Sequence, residues 1–151
     1  MIPLKHNDTF NLLGSNIKTI HLTGHTIGAV GYLFDGMLFT GDVLFGGGCG
    51  RIFEGDATDM MLSLDRIAEL PSNTKIYFGH EYTESNLKFS ALVEPKNVEI
   101  IERRRKIKGK TTPSDLSLEK ETNPFLRVDQ PSVIQAVNQQ AGRDVKDRVE
   151  R

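Results

Sequence analysis

Residues 38–55 read LFTGDVLFGGGCGRIFEG. An apolar run closes on Thr40-Gly41-Asp42, and six glycines fall from Gly41 to Gly55 around one cysteine and one arginine. Glycine weakens helices and strands, so such a cluster needs a reason, and the reading here is a sharp bend. A strand therefore ends just before Asp42, and the chain bends sharply after it.

Working outward, short apolar runs alternate with Gly and Asp punctuation as far as residue 83. Phe10–Leu13, Ile17–Leu22, Ala29–Phe34, Met37–Thr40 and Lys75–Phe78 have strand length and strand composition. Asp35-Gly36 between two of them signals a hairpin. Met60, Met61, Leu64, Ile67, Ala68 and Leu70 recur at helical spacing, with Asp59 as cap and Pro71 as stop. Beyond residue 83 the pattern turns helical. Leu87–Val93, Val98–Ile107, a short Leu116–Lys120 turn and Ser132–Gln140 are expected, with a charged helical tail over Arg143–Arg151. The expected fold class is α+β, with a β-rich unit over 1–83 and a helical unit over 84–151.

Bulk composition narrows the partners. A net charge of −1 gives no global field for nucleic acid or an acidic membrane. The apolar runs are too short to cross a bilayer, and the first residues lack the features of a signal peptide. A single cysteine, Cys49, cannot form an intramolecular disulfide and fits a reducing compartment. These features predict a soluble, cytoplasmic protein. The basic run Glu102–Lys110 lacks aromatic interleaving and reads as a solvated helix face. Cys49 has no base nearby in sequence and reads as a packing residue.

Of four histidines, His25 and His80 each follow a strand and a glycine, as does Asp42: G-H-T, T-G-D and F-G-H. Neighbouring strand ends lie about 5 Å apart, so three such side chains can converge. Imidazole and carboxylate suit zinc, manganese or iron. The same spacing also fits three unrelated turn residues.

Longer blocks add to this: F-T-G-D-x-L-F at 39–45, G-C-G-R-x-F-E-G at 48–55, G-H-E-Y-T at 79–83, N-L-K-F at 86–89 and V-E-P at 93–95. N-P-F-x-R at 123–127 and R-x-x-K-D at 143–147 follow. In this order the blocks resemble glyoxalase II, the hydroxyacylglutathione hydrolases of the metallo-β-lactamase superfamily. The resemblance implies the second half of an αββα sandwich followed by a helical, glutathione-binding domain. It implies that His25 and His80 are ligands of two different metal ions, zinc in the first instance with iron or manganese possible, and that Asp42 bridges them. Arg51 and Phe53 would line the glutathione site, Tyr82 would hydrogen-bond the substrate peptide, and Arg143 and Lys146 would grip a glutathione carboxylate. The last two, three residues apart, would share one helix face. The implied reaction is attack of a metal-bridging hydroxide on S-D-lactoylglutathione or a related S-2-hydroxyacylglutathione, releasing glutathione and a 2-hydroxy acid.

The family's T-H-x-H-x-D-H motif, which supplies two further ligands to each metal, does not occur among these 151 residues. Neither His6 nor His21 has neighbours that could replace it. Thr23 and Ala29 also stand where the family commonly has Pro and His. The expectation is therefore a chain with little or no activity alone, a truncated product or one part of a split protein. Its partners would be a glutathione thioester and a complementary N-terminal half. The alternative is a non-catalytic remnant that binds glutathione weakly.

Overall fold

The computed structural model describes residues 3–151. Its centre is a six-stranded sheet in the order β1-β2-β3-β4-β7-β8: β1 (Thr9–Leu12), β2 (Ser15–His21), β3 (Val30–Phe34), β4 (Met37–Gly41), β7 (Lys75–Phe78) and β8 (Ser114–Asp115). The first four strands are an antiparallel meander, and Asp35 and Gly36, both at positive φ, make the β3–β4 turn. β7 then pairs parallel to β4, as a crossover through a helix requires. Two short strands, β5 (Leu44–Phe45) and β6 (Gly48–Cys49), form a separate hairpin inside the glycine cluster.

The crossover helix α1 (Ala57–Ala68) buries Met60, Leu64 and Ile67 against Ile20, Leu22, Leu38 and Ile76 of the sheet. Its start differs from the expected one. Asp56 is the N-cap, and Asp59 sits three residues in, where its carboxylate accepts from the Asp56 N–H. Both carboxylates are thus used, one at each end of a capping box.

The helical half comprises α2 (Thr83–Val93), α3 (Val98–Lys106), α4 (Leu116–Thr122) and α5 (Pro131–Ala141). α2 begins four residues earlier than its apolar spacing suggested, because Thr83 and Asn86 pack on the glycine hairpin. Gly46, Gly47 and Gly48 leave no space for a side chain: an added Cβ would run into Thr83, Leu87 and Asn86 respectively. The three glycines admit a helix against their backbone, rather than serving chiefly to turn the loop.

The tail is not a helix. Gly142, at φ +67°, ends α5, and Val145 is buried with its N–H bonded to Asn138 Oδ1. Arg151 takes the carbonyls of Val145 and Lys146 that a helix would need. Arg148 binds Asp65 of α1 through both terminal nitrogens, at 2.6 and 2.8 Å, and Asp129 through Nε at 2.7 Å. Hydrogen bonds to Asp65 foremost hold the Arg148 proton more firmly than usual. Side-chain anchors have replaced local helical order. No helix among the described residues is long and apolar enough to cross a membrane.

Candidate metal centre

β2, β4 and β7 all run in one direction, since β2 and β4 are each antiparallel to β3 and β7 is parallel to β4. Their C-terminal ends therefore share one edge of the sheet. Past those ends stand His25, Asp42 and His80. His80 Nδ1 donates to Asp42 Oδ1 at 2.7 Å, and His25 Nε2 lies 3.8 Å from Asp42 Oδ2. The structure thus gathers the three residues that sequence spacing left open between convergence and coincidence. Gly79 is required here for space: its N–H reaches the Gly41 carbonyl at 2.9 Å, and any Cβ would collide with Asp42 Oδ1.

The hydrogen bonding of His25 has a chemical consequence. Its Nδ1 donates to the Arg51 carbonyl at 2.7 Å, so in the neutral ring the lone pair resides on Nε2, the nitrogen that faces Asp42. The loop carrying Arg51 and Phe53 is pinned to the same residue, because the Phe53 N–H donates to the His25 carbonyl at 3.1 Å. The Phe53 ring meets the His25 ring edge-on at 5.0 Å, and the Arg51 guanidinium sits 5.6 Å from the Phe53 centroid. On the other side Tyr82 stacks on His80 at 5.2 Å with the rings 5° from parallel. Phe53 and Tyr82 both remain exposed. His25, Asp42, His80, Arg51, Phe53 and Tyr82 therefore form one connected group.

Arg143 and Lys146 are placed otherwise. They lie on the irregular tail instead of a shared helix face, and Arg143 is paired with Glu150 at 2.8 Å. No hydrogen bond or ion pair of the structure joins either to the His25–Asp42–His80 group. Cys49 packs against the core, and burial pushes its thiol up to about 12, which suits the packing role and no nucleophile. His6 and His21 lie with ring centroids 6.1 Å apart; His6 Nδ1 accepts from the His21 N–H, and His21 Nε2 meets the Leu4 carbonyl.

Two contributors carried no signal of their own in the sequence reading. Glu81, between His80 and Tyr82, accepts from Thr111 N and Oγ1 and from Thr112 N, tying the loop before β8 to the candidate site. Burial raises its carboxyl, and those bonds more than reverse that, leaving it below the usual range. Asn86, in N-L-K-F, donates to the Gly46 carbonyl at 3.1 Å.

The donor set is of the right kind for a metal and too small for two. Two imidazoles and a carboxylate suit a borderline cation, and a catalytic zinc takes about three protein ligands. Here Asp42 Oδ1 is already bonded to His80, and among the described residues no group of three or more His, Cys, Asp or Glu is arranged to hold a metal ion. A dinuclear centre does not fit on these residues by themselves.

Both halves of the chain are similar to known proteins. Residues 8–80 match the profile of the metallo-β-lactamase superfamily, and residues 81–150 match that of the hydroxyacylglutathione hydrolase C-terminus. The hydroxyacylglutathione hydrolase of Pseudomonas fluorescens (strain SBW25) is 44% identical over 149 residues, covering 95% of this chain and 58% of the relative. The crystal structure of ETHE1 from Myxococcus xanthus resembles it with a TM-score of 0.62 at 25% identity, over 89% of this chain and 50% of that one. A protein solved in a di-iron-bound form resembles it with a TM-score of 0.55 at 27% identity, over 83% and 48%. The chain spans less than two thirds of the length of the curated relative. It belongs to the glyoxalase II (hydroxyacylglutathione hydrolase) family of the metallo-β-lactamase superfamily and corresponds to the C-terminal portion of its members.

Proposed function

We propose that this chain carries part of a hydrolase site for S-2-hydroxyacylglutathione thioesters, such as S-D-lactoylglutathione, and that these 151 residues alone hydrolyse them at most very slowly. The reaction adds water across the thioester, forming a C–O bond and breaking the C–S bond, and yields glutathione and a 2-hydroxy acid. The observation that carries the reading is Asp42 set between His80 and His25 at one edge of the sheet, with no group of three or more metal-binding side chains arranged around an ion among the described residues.

The chain's own groups have definable tasks in this reading. His25, Asp42 and His80 offer metal-binding atoms, with Nε2 of His25 oriented by the Arg51 carbonyl. Tyr82 offers an exposed phenol for a peptide carbonyl or N–H, held by its stack on His80. Arg51 and Phe53 offer a cation and a ring to a peptide-like ligand. Arg143 and Lys146 would supply charge for a carboxylate, and Arg143 would have to exchange its partner Glu150 to do so. Zinc is the metal proposed, with iron and manganese as alternatives.

A second reading, a glutathione binder without catalysis, is favoured by the exposure of Phe53 and Tyr82 beside an incomplete ligand set. One set of measurements separates the two. The purified chain is assayed for bound zinc, iron and manganese, for hydrolysis of S-D-lactoylglutathione, and for binding of a non-hydrolysable S-alkylglutathione by calorimetry. Substoichiometric metal with negligible turnover is the expected result. Two metals per chain with turnover would overturn the claim that these residues do not suffice. Binding of the S-alkylglutathione without turnover would select the second reading.

A further inference from the structure

His80 and Tyr82 stand on a segment between β7 and α2 that belongs to no strand or helix. Among the described residues, the backbone of His80–Tyr82 bonds only within itself and to the first turn of α2. The Tyr82 N–H donates to the His80 carbonyl at 3.2 Å, and Ser85 Oγ and the Asn86 N–H donate to the Tyr82 carbonyl. The side chains divide between two directions. His80 and Tyr82 stack on each other, and Phe45 meets both rings edge-on, at 6.2 and 5.2 Å. Glu81, between them, reaches instead to residues 111–112 in the loop between α3 and β8. Both of its oxygens are used. The Thr111 N–H is shared by the two at 3.0 Å, the Thr112 N–H donates to Oε1 at 3.1 Å, and Thr111 Oγ1 donates to Oε2 at 2.6 Å.

We propose that Glu81 is a positioning residue, whose grip on residues 111–112 fixes the directions of the His80 and Tyr82 rings. The proposal rests on the hydrolase reading only for the use to which those rings are put. The proton count shows how the grip is anchored. A carboxylate only accepts, so the single proton of the Thr111 hydroxyl goes to Glu81, and Thr83 Oγ1 must donate to Thr111 Oγ1 at 2.6 Å. Thr83 is in turn packed on Gly46, the neighbour of Phe45 in the glycine hairpin. The contacts therefore close a circuit: from the hairpin through Thr83, Thr111 and Glu81 to His80 and Tyr82, and back to Phe45. Swinging either ring away turns the backbone that carries Glu81 and breaks charge-assisted bonds to three donors at once. Binding groups need their directions held by a supporting shell, and the loop thirty residues further on supplies it here. With the segment so held, His80 Nδ1 stays on Asp42 Oδ1.

Solution NMR of the 151-residue chain tests this. NOEs between the His80 and Tyr82 ring protons, with the upfield shifts that stacking imposes, report the ring directions. NOEs between Phe45 and Phe78, whose centroids are 6.4 Å apart, report the fold beneath. In Glu81→Ala the first set should be lost and the second kept. Glu81→Gln retains an acceptor oxygen for the Thr111 and Thr112 N–H groups and should restore most of the first set. Thr111→Ala should weaken that set as well, although Thr111 bonds to neither ring. Ring NOEs unchanged in Glu81→Ala would overturn the proposal, as would a Gln variant no better than Ala. Loss of the Phe45–Phe78 contacts together with the stack would also overturn it, by making Glu81 a general support of the fold. Should Glu81→Ala fail to fold, amide hydrogen exchange of the unsubstituted chain decides. The Thr111 and Thr112 N–H groups should exchange more slowly than that of Gly109 on the same loop, and equal rates would show that no grip exists. The metal and thioester assays bear on the hydrolase reading alone, and the ring contacts bear on Glu81 alone, so either can fail without the other.

Discussion

Two regions meet at the β5–β6 hairpin and are built on opposite plans. On its inner side Glu119 of α4 is fully buried and accepts from the Gly47 N–H, from Arg103 of α3, from Ser114 and from Asn123. Arg103 also donates to Thr122 Oγ1 at 2.6 Å, and Asn123 Nδ2 reaches the carbonyls of Phe45 and Gly48. Every hydrogen-bonding group of that cluster has a partner, as a buried ionic network requires. On the outer side Asp42, His25 and His80 are solvent-accessible and hold one short hydrogen bond among three side chains. The first region spends its polar groups on holding the helical half to the hairpin. The second leaves its polar groups available, and its stability rests on the strands beneath.

Breaking the inner region should have the largest effect. Glu119→Ala leaves the Arg103 charge buried without its counter-ion and the Gly47 N–H without an acceptor. A loss of about 3–5 kcal/mol is expected in equilibrium urea unfolding. Glu119→Gln, which keeps an acceptor for Gly47, should cost less. An Ala variant within 1 kcal/mol of the original, a scale of about one ordinary hydrogen bond, would show that the cluster does not carry the interface.

The next effect is steric. Gly47 sits at φ +66° with Leu87 against its missing Cβ, so Gly47→Ala meets both strain and overpacking, about 1–3 kcal/mol by the same assay. Gly46–Gly48 also show where the sequence misled. The cluster read as a bend, and a bend cannot be told from a close approach without knowing what lies opposite. The opposing side chains Thr83, Asn86 and Leu87 stand some forty residues away, and the inner network spans positions 47, 103, 114, 119 and 123. Long-range pairings of that sort leave no periodic trace.

What was legible had local grammar: the five strand runs, the Asp35-Gly36 turn, and the glycine before each of His25, Asp42 and His80. Strand direction is a property of the whole meander, which is why convergence became certain only when β2, β4 and β7 were seen to run the same way. The tail failed for the opposite reason. Its charge pattern suited a helix locally, but Arg148 and Arg151 find Asp65, Asp129 and backbone carbonyls elsewhere.

A third effect is pH-dependent and belongs to a second buried pair, which offers a milder version of the Glu119 cluster. Burial pushes the Glu94 carboxyl up, and hydrogen bonds from Arg127 and Ser132 with the Arg127 charge more than cancel it, so it lies below its ordinary value of 4.5. A carboxyl lowered by folding stabilises the fold fully above its unfolded value, and that share is lost as pH falls through the lowered value. Urea midpoints should therefore fall as pH drops from neutral toward about pH 3, and Glu94→Gln should flatten part of that slope. An unchanged slope in the Gln variant would assign the acid sensitivity to other carboxylates.

The smallest effect on stability should come from the outer region, where the difference between the two plans is sharpest. Asp42→Ala removes a carboxylate that is partly solvated and bonded only to His80, so no buried charge is stranded and no core atom is lost. The change in unfolding free energy should stay within about 1 kcal/mol, the range of a surface substitution. His80→Ala should behave alike, apart from the loss of its stack on Tyr82. Whatever metal the chain retains should fall further in both variants, as followed by metal analysis after dialysis. Near-wild-type stability with diminished metal would identify Asp42 as a group kept for binding. A loss comparable to that of Glu119→Ala would instead make the carboxylate a structural tie between β4 and β7, and the centre would then be no different in kind from the network on the other side of the hairpin.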